Sequence, residues 1–471
     1  MATRLTQIQD TTINRASSAT KPSGAMKPRR IYIDCTSTYL TGLNTGIQRV
    51  VRGLVEREQA LSEHIGVPCI PVIALKNRYW PFSQSQRLLV QDLLAQSAQA
   101  RKAGRGKFVR FEQAVISLSD RLYVPRPITE APFRVTRHVL PRLFGRFQGV
   151  GPLWAFRRHR VRAIHPTSQD LLVVPDVFWR EHGQLPAIEH FADAGGAVVP
   201  VIHDILPLTH PEYFPDFDSR LFAGGLARVL AKTSGLLAVS RTAMGDIGRY
   251  CAEQGYGHLF LDFAYSGADM KALNAGEKMD VRPDVSARGR EQPFLMVGTL
   301  EPRKDYSTAL DAYALYRQAG GKRSLVIVGR RGWKELDIVA RIRAMASSSG
   351  CAFFYPDATD AELSFLYQNA AALIFASRDE GFGLPLVEAM HQGVPVIASD
   401  IPVFQEIGKD YPQYFHVGDA SDLCRVMQEH DKGGANTKKP RRLWPTWDMA
   451  AQAYIEKAVT LYASSRISGA P

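Results

Sequence analysis

Short apolar runs bounded by charge, glycine or proline alternate with stretches of helical period along most of this chain. Arg30-Ile31-Tyr32-Ile33-Asp34 predicts a first strand, and residues 67–75, 171–174, 196–202, 236–239 and 259–264 predict five more. Between the first two lies a helical pattern, Val50, Val51, Leu54 and Val55, and Ser240 is placed to cap the helix after residue 239. A second series follows: strands at 294–297, 325–328, 352–355 and 371–376, and a helix at 360–369. Strands alternating with helices give parallel sheets, so the fold class is α/β. The polar stretch 266–291 reads as a linker, dividing the chain into domains over 31–270 and 285–440. A basic, glycine-containing break near residue 430 precedes Trp444-Pro445-Thr446-Trp447 and a last helix, 445–465. The two halves share the alternating pattern without an internal repeat.

Length fits this division, since 471 residues hold two domains with sizeable cores. Net charge is +12 with a pI near 9.4, which favours an anionic partner. The five cysteines (35, 69, 251, 351, 424) have no metal-site spacing, which fits a reduced cytoplasmic setting. No apolar run reaches membrane-spanning length, and residues 1–30 lack the apolar core of a secretory signal, so they read as a basic, disordered tail. The least readable part is 76–165, a variable basic insertion. Its end, residues 133–162, holds eight arginines (134, 137, 142, 146, 157, 158, 160, 162) and no acid, mixed with large apolar residues. That mixture suits an acidic membrane surface, or a solvated basic face over a core; no nucleic-acid motif accompanies it. The expectation is a soluble or peripheral protein at the inner face of the cytoplasmic membrane.

Candidate chemistry concentrates where strands end, which is where open α/β sheets bind ligands. In Arg378-Asp379-Glu380-Gly381-Phe382-Gly383-Leu384-Pro385-Leu386-Val387-Glu388, glycines precede a helix start marked by Pro385. Backbone N–H groups there suit an anion such as phosphate, and Glu380 and Glu388 can accept hydrogen bonds from paired hydroxyls. Phosphate donors beside diol acceptors describe a sugar-nucleotide pocket. Arg303 and Lys304, after Gly298, can hold a diphosphate and stabilise its departure. Gly42 and Gly46 lie in what reads as a strand-to-helix turn open to a phosphate or sugar. His203 and Asp204 end the 196–202 run. Asp216 and Asp218 could hold a metal, but helix capping explains them more simply.

The stretch resembles the E-x7-E signature of the retaining family 4 glycosyltransferases, carried by Glu380 and Glu388 and extending to Gly393-Val394-Pro395-Val396-Ile397-Ala398 and Glu406. Gly298-Thr299-Leu300-Glu301-Pro302-Arg303-Lys304 is similar to that family's G-x-x-x-x-R-K element. The glycine loop at Gly42 to Gly46 and the segment from His203-Asp204 to Pro207 and His210-Pro211 also resemble family elements. The resemblance covers roughly 30–465 and leaves 76–165 poorly matched. It implies a GT-B fold, two Rossmann-like domains with parallel sheets facing a central cleft, and a terminal helix returning to the first domain. It further implies transfer of a hexose from a nucleotide sugar with retention, without a metal or other cofactor. The acceptor would be a glycan or lipid-linked glycan. On this reading His203, Glu380, Arg303 and Lys304 are catalytic, and Gly42, Gly46, Gly298, Phe382, Gly383, Leu384 and Glu388 bind donor. GDP-mannose is the leading donor, followed by a nucleoside-diphosphate rhamnose and UDP-glucose. The rival readings are a GT-B epimerase or phosphorylase, and a non-catalytic basic scaffold on membrane or nucleic acid. The scaffold would be expected to have lost Glu380, Glu388, Arg303 or Lys304, all of which are present.

Overall fold

The computed structural model describes residues 26–42, 45–88, 162–180, 183–269, 281–333, 336–433 and 444–467. Two sheets carry the fold. The first has seven strands in the order β3-β2-β1-β4-β5-β6-β7: β1 (Arg30–Asp34), β2 (Cys69–Leu75), β3 (Arg78–Pro81), β4 (Asp170–Val174), β5 (Ala197–Ile202), β6 (Leu236–Ala238) and β7 (Leu261–Phe263). The second has six in the order β10-β9-β8-β11-β12-β13: β8 (Phe294–Val297), β9 (Leu325–Val328), β10 (Ala352–Tyr355), β11 (Ala372–Phe375), β12 (Val396–Ser399) and β13 (Gln413–Phe415). Every pairing is parallel except β2 with β3. Central strands such as β4 and β9 are buried along their whole length, as a sheet covered by helices on both faces requires. Uninterrupted apolar runs at 171–174 and 325–328 are the sequence counterpart of that burial.

Three local expectations need correction. The chain does not pass directly from β1 to Gly46: a short helix, Thr36–Thr41, intervenes. The Asp34 carboxylate takes the Thr36 N–H at 3.0 Å, which ends the strand and starts that helix. The stretch read as a linker contains a helix, Pro283–Arg290, on the second domain, where Arg282 Nε meets the buried Glu362 carboxylate at 2.6 Å. Asp216 and Asp218 do not cap their helix. Pro215 holds the N-cap position, the two acids lie in the first turn, and Asp218 is 3.6 Å from Arg180. Carboxylates there favour the positive end of the helix dipole without a capping bond. β3, an antiparallel edge strand, and β13 had no clear sequence signal.

The last helix, Trp447–Ile467, packs on the Gly46–Val55 and Glu58–Ile65 helices and on the β4–β7 side of the first sheet. Its anchor is Trp447, whose ring lies where a side chain on Gly53 would stand. Trp444 Nε1 donates to Ser266 O at 2.8 Å. A single apolar cluster runs through both domains, joining Val50, Phe382, Leu384 and Tyr454. Polar fasteners reinforce it. Glu406, on the Pro402–Gly408 helix, accepts from Arg241 N (2.8 Å), Thr242 N (2.7 Å), Thr242 Oγ1 (2.6 Å) and Tyr265 O–H (2.9 Å). Its carboxylate thereby seats on the N-terminus of the Arg241–Glu253 helix. Ser240 Oγ donates to Gly381 O at 2.7 Å, and Trp333 Nε1 to Tyr213 O at 2.6 Å. All five cysteines are buried, and none is in a disulfide. Among the described residues no helix is long and apolar enough to cross a membrane.

Candidate active site between the two domains

The second domain supplies the charge. After β8, Gly298 takes a φ of 152°, and the chain folds through a 3-10 turn, Pro302–Lys304. Asp305 then enters the left-handed region (φ 47°) and caps the Tyr306–Gln318 helix through Thr308 N at 3.3 Å. That abrupt stop turns Arg303 and Lys304 toward the loop after β11. Arg303 Nη1 lies 2.5 Å from Glu380 Oε2, and its Nη2 is 2.7 Å from Glu301 Oε1. Lys304 pairs with Glu380 Oε1, which also accepts from Ser377 Oγ at 2.8 Å. Burial pushes the Glu380 carboxyl up, but the two cations more than reverse this and hold it down at about 2. Burial pulls the Lys304 amine below its usual value, and Glu380 opposes the fall. Glu380 is therefore the counter-ion that fixes both cations, with each of its oxygens engaged.

Glu388 is almost fully buried on the Leu384–Gln392 helix. Tyr367 O–H donates to its Oε2 at 2.9 Å, and Arg49, from the Gly46–Val55 helix of the other domain, pairs with Oε1. Gly383 has a φ of 99°, and a Cβ there would stand 2.8 Å from the Phe404 ring, so both backbone and space demand glycine. Gly381 packs on the carbonyl of His203. The Phe382 ring is 6.0 Å from Trp444 and 6.1 Å from Tyr265, while Leu384 Cδ1 is 3.6 Å from where a Gly46 Cβ would be. Both side chains join the domains. Gly42 is the left-handed C-cap of the Thr36–Thr41 helix (φ 65°). Gly298 sits beneath Lys304, whose Cε would be 3.5 Å from a Cβ at that glycine.

The first domain supplies neutral groups. His203, at the end of β5, has Nε2 2.9 Å from Pro175 O. A carbonyl only accepts, so Nε2 carries the hydrogen and Nδ1 is left as an acceptor. Burial drives the imidazole down to about 4, so it is neutral at pH 7. Burial raises the Asp204 carboxyl to about 6, against the pull of Arg303. Deeper, Asp176 accepts from Thr38 N (2.7 Å) and Val177 N (2.8 Å). Burial, with Asp34 nearby, pushes it up to about 7. Among the described residues no cluster of three or more His, Cys, Asp or Glu is arranged to hold a metal. Of the basic segment 133–162 only Arg162 lies within the described residues, and the tail is described from residue 26 onward.

The structure thus brings Arg303 and Lys304 onto Glu380, packs Gly381 on the His203 carbonyl and sets Gly298 beneath Lys304. Glu388 meets Arg49 of the other domain, and Gly46 lies against Leu384, next to Gly383. Gly42 is placed only as the C-cap of its short helix. Sequence reasoning passed over Arg49, Tyr367, Ser377 and Glu301. Arg49 and Tyr367 stand inside helices, and Ser377 and Glu301 lie in the same loops as Glu380 and Arg303, so only their pairing in the fold marks them.

Two solved structures match nearly the whole chain at a TM-score of 0.50. They are sucrose-phosphate synthase from Thermosynechococcus elongatus (14% identity, 94% of this chain and 97% of that one) and the Candida albicans trehalose-6-phosphate phosphatase N-terminal domain (12% identity, 96% and 98%). The two parallel-sheet domains define the GT-B fold. Within it, residues 278–424 match the family described as Glycosyl transferases group 1. The chain is 30% identical over 302 residues to the serotype-specific mannosyltransferase WbdA of Escherichia coli, covering 62% of itself and 37% of the relative. It is 28% identical over 270 residues to O-antigen chain mannosyltransferase B of E. coli (55% of this chain, 68% of the relative). It is 26% identical over 206 residues to O-antigen chain mannosyltransferase RfbU of Salmonella typhimurium (44% and 53%). The chain thus spans well under half the length of the first of these.

Proposed function

We propose that the chain is a retaining glycosyltransferase that moves mannose from GDP-mannose to a glycan or lipid-linked glycan, without a metal. The observation that carries the reading is the buried arrangement of Arg303 and Lys304 on Glu380, beside the glycine-flanked start of the Leu384–Gln392 helix. Two cations and a helix N-terminus converge on one place, which is what a diphosphate requires. The names of the sequence relatives support mannose as the sugar and a glycan as the acceptor. On this reading the diphosphate takes donors from Arg303, Lys304 and the backbone around Gly383. Glu380 holds the cations in place as negative charge builds on the leaving group, and that pre-set geometry lowers the barrier. Glu388 accepts the ribose hydroxyls through its remaining lone pairs. The neutral His203 presents Nδ1 to a sugar hydroxyl near the reacting carbon. The eight arginines of residues 133–162 favour an anionic membrane surface, and with it a place at the cytoplasmic face.

The test is turnover with GDP-mannose, UDP-glucose and dTDP-rhamnose on lipid-linked oligosaccharide acceptors, in EDTA, with the product anomer read by proton NMR. An α-mannoside from GDP-α-mannose is expected. A β-product overturns retention, and activity only with manganese overturns metal independence.

A further inference from the structure

Resting on that reading of a nucleoside diphosphate in the cleft, we infer that Arg49 is a third cation of the donor site, contributed by the first domain. Arg49 stands on the Gly46–Val55 helix and reaches Glu388, its only ion-pair partner among the described residues. A guanidinium carries five N–H donors in a planar fork, and one carboxylate oxygen cannot use them all. The other oxygen of Glu388 is already taken by Tyr367. The side chain is 26% exposed against 1% for Glu388, so part of it remains open to solvent beside that carboxylate.

Glu388 is the carboxylate in contact with Arg49, and Asp360 acts on it from beyond contact distance. The first turn of the Gly46–Val55 helix abuts the first residue of the Leu384–Gln392 helix, Leu384 lying 3.6 Å from a Cβ placed on Gly46. Neither helix has an acidic residue in its first turn. Two positive helix ends and a guanidinium therefore meet beside a single contacting carboxylate, with Asp360 farther off. A diphosphate attached to a ribose held at Glu388 supplies the missing anion. Arg49 then binds it from the side opposite Arg303 and Lys304. The donor would bridge the two domains.

The experiment is calorimetric titration of the full chain with GDP, UDP and dTDP and with the matching monophosphates. Arg49→Met is expected to weaken the diphosphate by about tenfold or more, the scale of a lost charge-assisted hydrogen bond. The monophosphate should weaken by less, and Arg49→Lys should fall between the two proteins. Because methionine leaves Glu388 buried without a cation, the comparison is repeated as Arg49→Met with Glu388→Gln, measured against Glu388→Gln alone. Unchanged or tighter diphosphate binding in both backgrounds overturns the inference, the tighter result making Arg49 an internal competitor for the site. If Glu388→Gln by itself leaves affinity unchanged, the ribose assignment falls, while Arg49 is still judged by the ratio of diphosphate to monophosphate. A wild-type chain that binds no nucleoside diphosphate overturns the reading of the site, and this inference with it.

Discussion

The two walls of the cleft handle buried carboxylates in opposite ways. In the second domain Glu380 is out of water yet ionised, held at about 2 by Arg303 and Lys304. In the first, Asp176 is equally buried, has hydrogen-bond donors but no cation in contact, and is pushed up to about 7. Burial acts on both; the difference is the counter-charge. One wall is thus a fixed array of charges suited to an anion. The other, with a neutral His203 and an Asp176 about half protonated at pH 7, offers hydrogen bonds suited to uncharged hydroxyls. A sugar nucleotide needs both kinds of surface, side by side.

The comparison can be broken first at Arg303. Its removal leaves Glu301 and half of Glu380 without a cation, so Arg303→Ala should cost about 3 kcal/mol or more of stability in denaturant unfolding. A loss under about 1 kcal/mol would mean the charged wall is not built on this pair. Next is the joint between the walls. Glu406→Ala removes a carboxylate that accepts four hydrogen bonds from the first domain, and should cost about 2 kcal/mol. Thermal unfolding should then show the domains separating in two steps, and a single unshifted transition would contradict the fastener.

The neutral wall is tested by pH. The Asp176 pKa is raised from an ordinary 3.8 to about 7, so between these values the folded chain keeps a proton that the unfolded chain releases. Its contribution to stability is complete below pH 4 and declines as pH rises through 7, by at most about 1.4 kcal/mol per pH unit. His203 acts in the opposite sense: its pKa falls from 6.5 to about 4, so its contribution is lost as pH drops through that range. Because the two oppose each other, the difference between wild type and Asp176→Asn isolates the aspartate. Wild type should lose stability relative to the variant as pH rises from 4 to 7, and parallel profiles would show Asp176 ionised throughout. The smallest effect is kinetic. On the proposed reading, in which its free nitrogen meets the sugar and not the phosphates, His203→Ala should lower kcat by about tenfold with donor KM nearly unchanged. A rise in donor KM alone would make His203 a binding residue.

How much of this was legible in the sequence follows from range. Strands at 294–297, 325–328 and 352–355 and the helix at 360–369 coincide with the observed bounds, because buried parallel strands leave uninterrupted apolar runs. Arg303, Lys304, Glu380 and Gly383 were legible because each lies in a turn after a strand, beside a glycine or proline. The short helix after Asp34 was not, since side-chain bonds from Asp34 to Thr36 and from the distant Asp176 to Thr38 hold its start. Arg49 on Glu388 and Glu406 on Thr242 pair residues 339 (388 − 49) and 164 positions apart, and no local pattern announces such a meeting.

The central claim is that protein cations at the charged wall hold the donor diphosphate. It is tested most directly by titrating GDP into wild type and Lys304→Ala, both in excess EDTA. The account predicts binding by wild type without metal, and a loss of about 1.5–3 kcal/mol in the variant, the worth of a hydrogen bond to a charged group. Equal affinities, or wild-type binding that appears only when manganese is added, would contradict it.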